Sequence, residues 1–406
     1  MGQVILKRRL FTEYCLLIFV VLWSGGSFTY GTFIGWPYVM TVVAGIIAFQ
    51  RGIKIGIHTW LVIGLFTMVT FAQMLVFGGG LTSIAAPILT IVSIALIANI
   101  VRLNFSYVFV RIVAFFALIS LVFWLIDLIP EGHYRLLLIA KRLPQFGAAN
   151  FEKMDESSWA NFQRYTLYFY NVAESEEELY RWVRNSGPFF EPGRFTIVLT
   201  TAMAIMLFNK EVKKNKSLFY VILLANITTF STTGYYAMLV LFVCLILSYY
   251  RHHPIKAIIS SSLIIIVAYY ILQTDFMSDK VVTALESTDK SNSRFGAMLY
   301  HWSQIVRSPL IGYGNYLSYA FGETELSPCG ITEMMRRWGI PLFVLCVCQI
   351  YRSAKTLLRN DRFFGISFTL IMLVLAYSQT IMSAPFFYLL YLLGGKTILN
   401  NDGKKI

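Results

Sequence analysis

The segment GPFFEPGRF, Gly187 to Phe195, sets Glu191 between Pro188 and Pro192 and follows it with Arg194, at the mouth of the apolar run TIVLTTAMAIMLF. The prolines keep the chain extended around Glu191, and Pro192 suits the first turn of a helix, where its missing N–H costs nothing. Outward N–H groups, the positive end of the helix dipole and Arg194 in the first turn together predict a receptor for phosphate. Glu191 is then a counter-charge or a base. A salt bridge capping the helix at the membrane surface is the plainer reading, but an arginine at a helix N-terminus opposes the dipole, and a locally unfavourable placement usually serves something else.

Two more stretches carry polar chemistry. In SNSRFGAMLYHWSQIVRSPLIGYG, Ser291 to Gly314, the serines start a helix whose apolar stripe is Phe295, Met298, Leu299, Trp302, Ile305 and Val306. The pattern predicts an amphipathic helix on the membrane, ended by Pro309. Arg294 and His301 fall seven apart on nearly one face. The plainer reading of Arg294 is lipid-headgroup binding, and that of His301 a surface or interfacial histidine. In LLANITTFSTTGYY, Leu223 to Tyr236, the hydroxyls of Thr228, Thr229, Ser231, Thr232 and Thr233 either bind a sugar or satisfy backbone groups at a tight helical hairpin.

The elements that must position these groups are membrane helices. Of 406 residues 57% are hydrophobic and 14% charged, outside the range of water-soluble domains, which predicts an all-α polytopic membrane protein. Dividing the apolar runs by bilayer thickness gives about 12 transmembrane helices. Five spans fill residues 1–130, four fill 194–274, and the C-terminal spans, taken as 331–351, 363–380 and 385–399, lie with a tail in 331–406. Residues 131–193 and 275–330 form two long periplasmic loops, each containing an amphipathic helix; in the first it covers Ala173 to Arg184. With a cytoplasmic N-terminus, the clusters at Lys7–Arg9, Lys210–Lys216 and Arg352–Arg362 share one side, and the turns around TYGTF, FGGG, STTG and MSAP contain no Lys or Arg. Both termini are then cytoplasmic. The net charge of +13 thus reports topology and not nucleic-acid binding. The five cysteines imply no disulfide framework, and Cys346-x-Cys348 lacks the partners of a metal site.

In this order and on this topology the stretches resemble the O-antigen polymerase and O-antigen ligase superfamily of bacterial envelopes. The matching marks are EPGR before a span, TTFSTTGY after the next, SRFG…PLIGYG opening the second outer loop, and the Gly339-Ile340 closing GITEMMRRWGI. The likeness runs from Gly187 to Pro341; the first five spans match by architecture. It implies transfer of a glycan from an undecaprenyl diphosphate carrier at the outer face of the inner membrane, without metal or cofactor. Arg194 and Arg294 would hold the donor's diphosphate, with Arg181, Arg184 and Arg307 as helpers. Glu191, then His301, then Glu333 are candidates for the acceptor's base; Glu333, Thr233 and Tyr235 are candidate acceptor contacts.

Ligases of the superfamily carry a histidine in the second loop shortly before the glycine matching Gly339, and Glu325 to Gly330 contains none. The departure favours a polymerase over transfer to lipid A core. A polymerase moves the growing chain onto the non-reducing end of a new lipid-linked repeat. Donor and acceptor are then both undecaprenyl-diphosphate-linked oligosaccharides, and the partners are membrane lipids with a chain-length regulator and flippase of the same pathway. A lipid-linked oligosaccharide flippase or secondary transporter is the competing class. Transporters place ionisable groups near the membrane midplane, whereas here Glu13, Asp127 and Arg194 fall at predicted span ends and only Arg111 within one.

Overall fold

A computed structural model describes residues 2–27, 35–78, 80–144, 164–173, 183–209, 212, 215–272, 294–317, 329–358, 361–377 and 379–394. The helices are α1 (Gly2–Trp23), α2 (Trp36–Gln50), α3 (Ile57–Phe77), α4 (Leu81–Val101), α5 (Phe105–Asp127), α6 (Pro130–Arg142), α7 (Pro192–Phe208), α8 (Lys216–Thr228), α9 (Thr232–Tyr249), α10 (Pro254–Leu272), α11 (Arg294–Ile305), α12 (Gly330–Trp338), α13 (Ile340–Leu357), α14 (Arg362–Tyr377) and α15 (Pro385–Leu392). Among the described residues, five helices are long and apolar enough to cross a membrane: α3, α4 from Ser83, α5, α9 and α13. The helices α2, α7, α8 and α14 are apolar but shorter.

The chain divides into two compact units. The first comprises Met1–Trp36, Val101–Gly234 and Ala384–Phe386; the second comprises Pro37–Ile100, Tyr235–Ser383 and Phe387–Ile406. In the first unit α7 packs against α5 and α8 and is buried along nearly its whole length. A helix apolar all round is expected to be enclosed in this way. Its hydroxyls are answered inside the bundle: Asn226 of α8 accepts from Thr196 through Oδ1 and donates to Thr200 Oγ1 at 2.9 Å. Gly234, opening onto α9, lies so close to Thr196 that a side chain there would collide.

The described residues are mostly helical, as expected of an all-α membrane protein, with one small addition in the first loop, a hairpin of β1 (Arg164–Thr166) against β2 (Asn171–Ala173), antiparallel with Thr166 opposite Asn171. At its tip Tyr168 takes a left-handed φ of 68°, held by its N–H donating to Thr166 Oγ1 at 2.9 Å. The amphipathic segment expected after Ala173 falls mostly on 174–182, outside the described residues. Glu13 is also relocated: it lies within α1, buried, and accepts from Asn104 Nδ2 at 2.9 Å. Arg111, exposed on α5, stands over the Tyr107 ring at 4.1 Å.

In the second unit the span expected over 331–351 is broken into α12 and α13. Gly339 adopts φ +81°, and the Leu310 carbonyl occupies the space a side chain would need. The Ile340 N–H donates to Pro309 O at 2.8 Å, so the chain entering from α11 passes through the break. Pro341 then starts α13. The last expected span is shorter than read: α15 ends at Leu392, and residues from 395 lie outside the described ones. Pro87 inside α4 lacks the N–H that would bond the Ser83 carbonyl, and Asn315 Nδ2 takes that carbonyl instead at 3.2 Å. The Ser83 hydroxyl meets Tyr316 OH at 2.7 Å, tying α4 to the 3-10 turn Gly314–Tyr316.

Candidate functional site

The first constellation is built where α1 ends. Its last turn runs into Ser24-Gly25-Gly26-Ser27, which lies antiparallel to Pro188–Phe190: Ser27 N donates to Pro188 O at 2.9 Å and Phe190 N to Gly25 O at 3.2 Å. Glu191 then caps α7 in an extended conformation, half-buried, and Arg194 follows in the first turn with 4% of its surface exposed. The guanidinium turns toward α1. Its Nη1 donates to Ser24 O at 3.1 Å, and its carbon lies 4.5 Å from the Phe190 ring centroid. Gly25 makes this possible, because a Cβ there would sit 2.6 Å from Arg194 Cδ and 3.2 Å from its Nη1.

Buried amides hold the loop entering α7. Asn171 Nδ2 donates to Gly187 O at 3.0 Å and Phe189 O at 2.6 Å. Asn185 Oδ1 accepts from Gly187 N at 3.0 Å, and its Nδ2 reaches Thr228 Oγ1 at 3.0 Å and Ser120 Oγ at 3.1 Å. Gly187, at φ +53°, lies against the Phe195 ring, which stacks on Phe189. Arg184 is half-buried beside this loop, its Nε 3.4 Å from Thr229 O. Removing the Asn171 amide would leave two buried carbonyls without their donor. Asn171→Ala is therefore expected to cost about 1–3 kcal/mol in detergent unfolding, and a loss well under that would mean the loop is held otherwise.

The second constellation joins α11 to α12. Here α11 buries two polar residues, His301 and Gln304, beside Ala297 and Ile305, whereas Leu299, Trp302 and, just beyond the helix, Val306 are more than half exposed. His301 Nδ1 lies 2.8 Å from Thr332 Oγ1. Gln304 Oε1 accepts from Arg336 Nη1 at 3.0 Å, and Arg336 Nε donates to Glu333 Oε2, also at 3.0 Å. The other carboxylate oxygen of Glu333 accepts from Arg337 Nη2 at 3.0 Å. Burial pushes the Glu333 carboxyl up, but Arg337, Arg336 and His301 together bring it below the usual carboxylate range. The Tyr313 N–H donates to Arg336 O at 2.9 Å, and Gln73 Nε2 donates to Ile311 O at 2.6 Å and Arg337 O at 2.9 Å. Burial raises the Tyr313 hydroxyl, with Arg307 opposing the shift.

No protein-family model and no curated protein matches this chain. What it can do chemically therefore rests on the two constellations. Arg194 and Glu191 share the mouth of α7 in the first unit, with Arg184 turned to Thr229 O on the segment leading to it, and His301 and Glu333 stand together in the second. Arg294 opens α11, with its side chain outside the described residues, and Arg181 also lies outside them. Arg307 is exposed just beyond α11. Of the two readings of the threonine-rich stretch, several hydroxyls follow the backbone one: Thr228 donates to Ala225 O, Thr229 to Asn226 O, and Ser231 Oγ accepts from Gly234 N. Thr233 is buried in the first turn of α9, and Tyr235 is half-buried. Glu333, saturated by two guanidinium groups, is a weak proton acceptor and fits a positioning role better than a base.

The sequence reading missed Ser24 and Gly25, Asn171, Asn185, Gln304 and Arg336. Asn185 was visible as an amide just before a glycine and proline turn and Arg336 as the residue one helical turn after Glu333, whereas Asn171 lies 16 residues before the Gly187 carbonyl it binds. Nothing local marks Gly25 as the partner of Arg194.

Proposed function

We propose that this chain polymerises undecaprenyl-diphosphate-linked oligosaccharide repeats at the outer face of the bacterial inner membrane, transferring the growing glycan to the non-reducing end of a new lipid-linked repeat. The observation that carries the reading is Arg194. A guanidinium at 4% exposure in the first turn of an enclosed helix is desolvated and opposes the helix dipole. An anion at this helix mouth would meet the guanidinium and the outward N–H groups of the first turn together. Guanidinium forks match diphosphate oxygens bidentately and stabilise the charge that develops as the diphosphate leaves. Glu191, half-buried at the same helix end, is the first candidate to take the proton of the acceptor hydroxyl. Arg294 joins the diphosphate ligands by resemblance alone, and His301, held by Thr332, is a second candidate base.

The test is chain growth by the purified protein in liposomes, supplied with its lipid-linked repeat unit and a chelator. The wild type is expected to give a ladder of products. Arg294→Ala is expected to lower its initial rate at least about tenfold, the least that loss of a charge-assisted contact in the transition state produces. A folded wild type that gives no ladder on its native repeat would overturn the polymerase reading.

A further inference from the structure

Only two residues, Leu128 and Ile129, separate α6 from the end of α5 at Asp127, so α6 lies at the end of a helix long and apolar enough to cross a bilayer. Its roll about its own axis is fixed from the inside. Asp127 accepts from Tyr170 OH through Oδ2 at 2.7 Å and meets His133 Nδ1 through Oδ1 at 2.8 Å, with all three residues buried. Leu136 packs with Tyr170 and Val172 of the hairpin. With that side anchored, the opposite side is committed outward. Tyr134 is 60% exposed, Leu138 40% and Ile139 52%, and Leu128 and Ile129 continue the apolar surface back toward α5. Arg135 and Arg142, seven apart and thus on nearly one face, are exposed beside Tyr134 and Leu138, and Lys141 flanks them on the other side, over the Tyr165 ring.

Around the helix Tyr134 and Leu138 form a narrow apolar strip with Lys141 on one side and Glu131, Arg142 and Arg135 on the other, Ile139 lying beyond the arginines. At the end of a spanning helix such a strip, bordered by cations, has the chemistry of a helix lying in a lipid interface. We propose that α6 is a membrane-surface helix that binds anionic lipid: Tyr134 and Leu138 enter the acyl boundary, and Arg135 and Arg142 meet the headgroup charge. Their stems snorkel along the same surface. The occupant is the bilayer because the stripe is continuous with a bilayer-length helix, and it is anionic lipid because arginines rim it. Glu131 is the one acid on this exposed face. The assignment is independent of the catalytic reading.

It is tested on the full chain in liposomes, with the exposed Cys15 and Cys348 replaced by Ser and an environment-sensitive fluorophore on Leu138→Cys. Quenching by brominated acyl chains, and protection from aqueous acrylamide, is the expected result. Quenching by brominated phosphatidylglycerol is expected to exceed that by brominated phosphatidylcholine, and each of Arg135→Gln and Arg142→Gln is expected to lower that preference about fivefold. Quenching by acrylamide, or protection from both quenchers, would place the face in water or against protein and overturn the proposal. Equal quenching by the two lipids would overturn its anionic part.

Discussion

Replacing Arg194 with Ala is expected to slow chain growth by a factor of about 10²–10³, the loss seen when one preorganised donor is removed from a developing charge. Three features set that size. The group is nearly fully buried, so its field acts in a low dielectric; it is held between the Ser24 carbonyl and the Phe190 ring; and its planar fork is not replaced by an ammonium. Arg194→Lys is accordingly expected to recover little of the rate. Gly25→Ala separates position from charge, because it leaves the guanidinium in the chain but puts a methyl group 2.6 Å from Cδ, forcing the side chain off its seat. It is expected to slow the reaction by at least about tenfold, the factor that 1.4 kcal/mol of lost transition-state contact gives. The readout is the initial rate of ladder formation, with each variant checked for a monodisperse, cooperatively unfolding species. Arg194→Ala at near wild-type rate in such a species would remove this residue from the chemistry.

The helical skeleton was legible because its causes are local. Long apolar runs with turns between them set α3, α4 and α5, and Pro192 set the start of α7, so their boundaries come straight from composition and backbone sterics. The break at Gly339 was not legible. Glycine inside an apolar run is common, and the reason for this one is the Leu310 carbonyl, brought in by the chain from α11. Gly25 is the stronger case: its partner on α7 lies far along the chain, and a glycine pair after a helix reads as an ordinary C-terminal signal. The stripe read on α11 divides in the structure, because Leu299, Trp302 and Val306 are exposed while Ile305 is buried beside His301 and Gln304, and pattern alone did not say where it would divide. The buried His301–Thr332 and Gln304–Arg336 pairs show that polar contacts to α12 decide the matter. The interior at that point is partly polar, so part of the apolar surface of α11 is left outward.

The same buried pairs make Glu333 the residue whose loss should unsettle the second unit most. In Glu333→Gln the amide keeps the size of the side chain but not its charge, which leaves Arg336, 6% exposed, without its counter-ion. Breaking a buried pair from one side costs about 3–5 kcal/mol. The pH dependence carries a definite sign. The groups facing this carboxylate are Arg336, Arg337 and His301, and despite burial they hold it below the usual range in the folded chain. Its stabilising contribution is therefore fully present above the unfolded value of about 4.3 and is lost as pH falls through the folded one. Wild type is expected to lose stability on acidification below about pH 4 with a slope that Glu333→Gln lacks, the variant being weaker at neutral pH and converging with wild type in acid. Thermal unfolding in detergent across pH measures both effects. Modification of the buried Cys329, which precedes α12, reports at neutral pH whether the helix itself opens. Parallel curves for the two proteins, or equal Cys329 protection, would show that the two arginines are held by something other than this carboxylate.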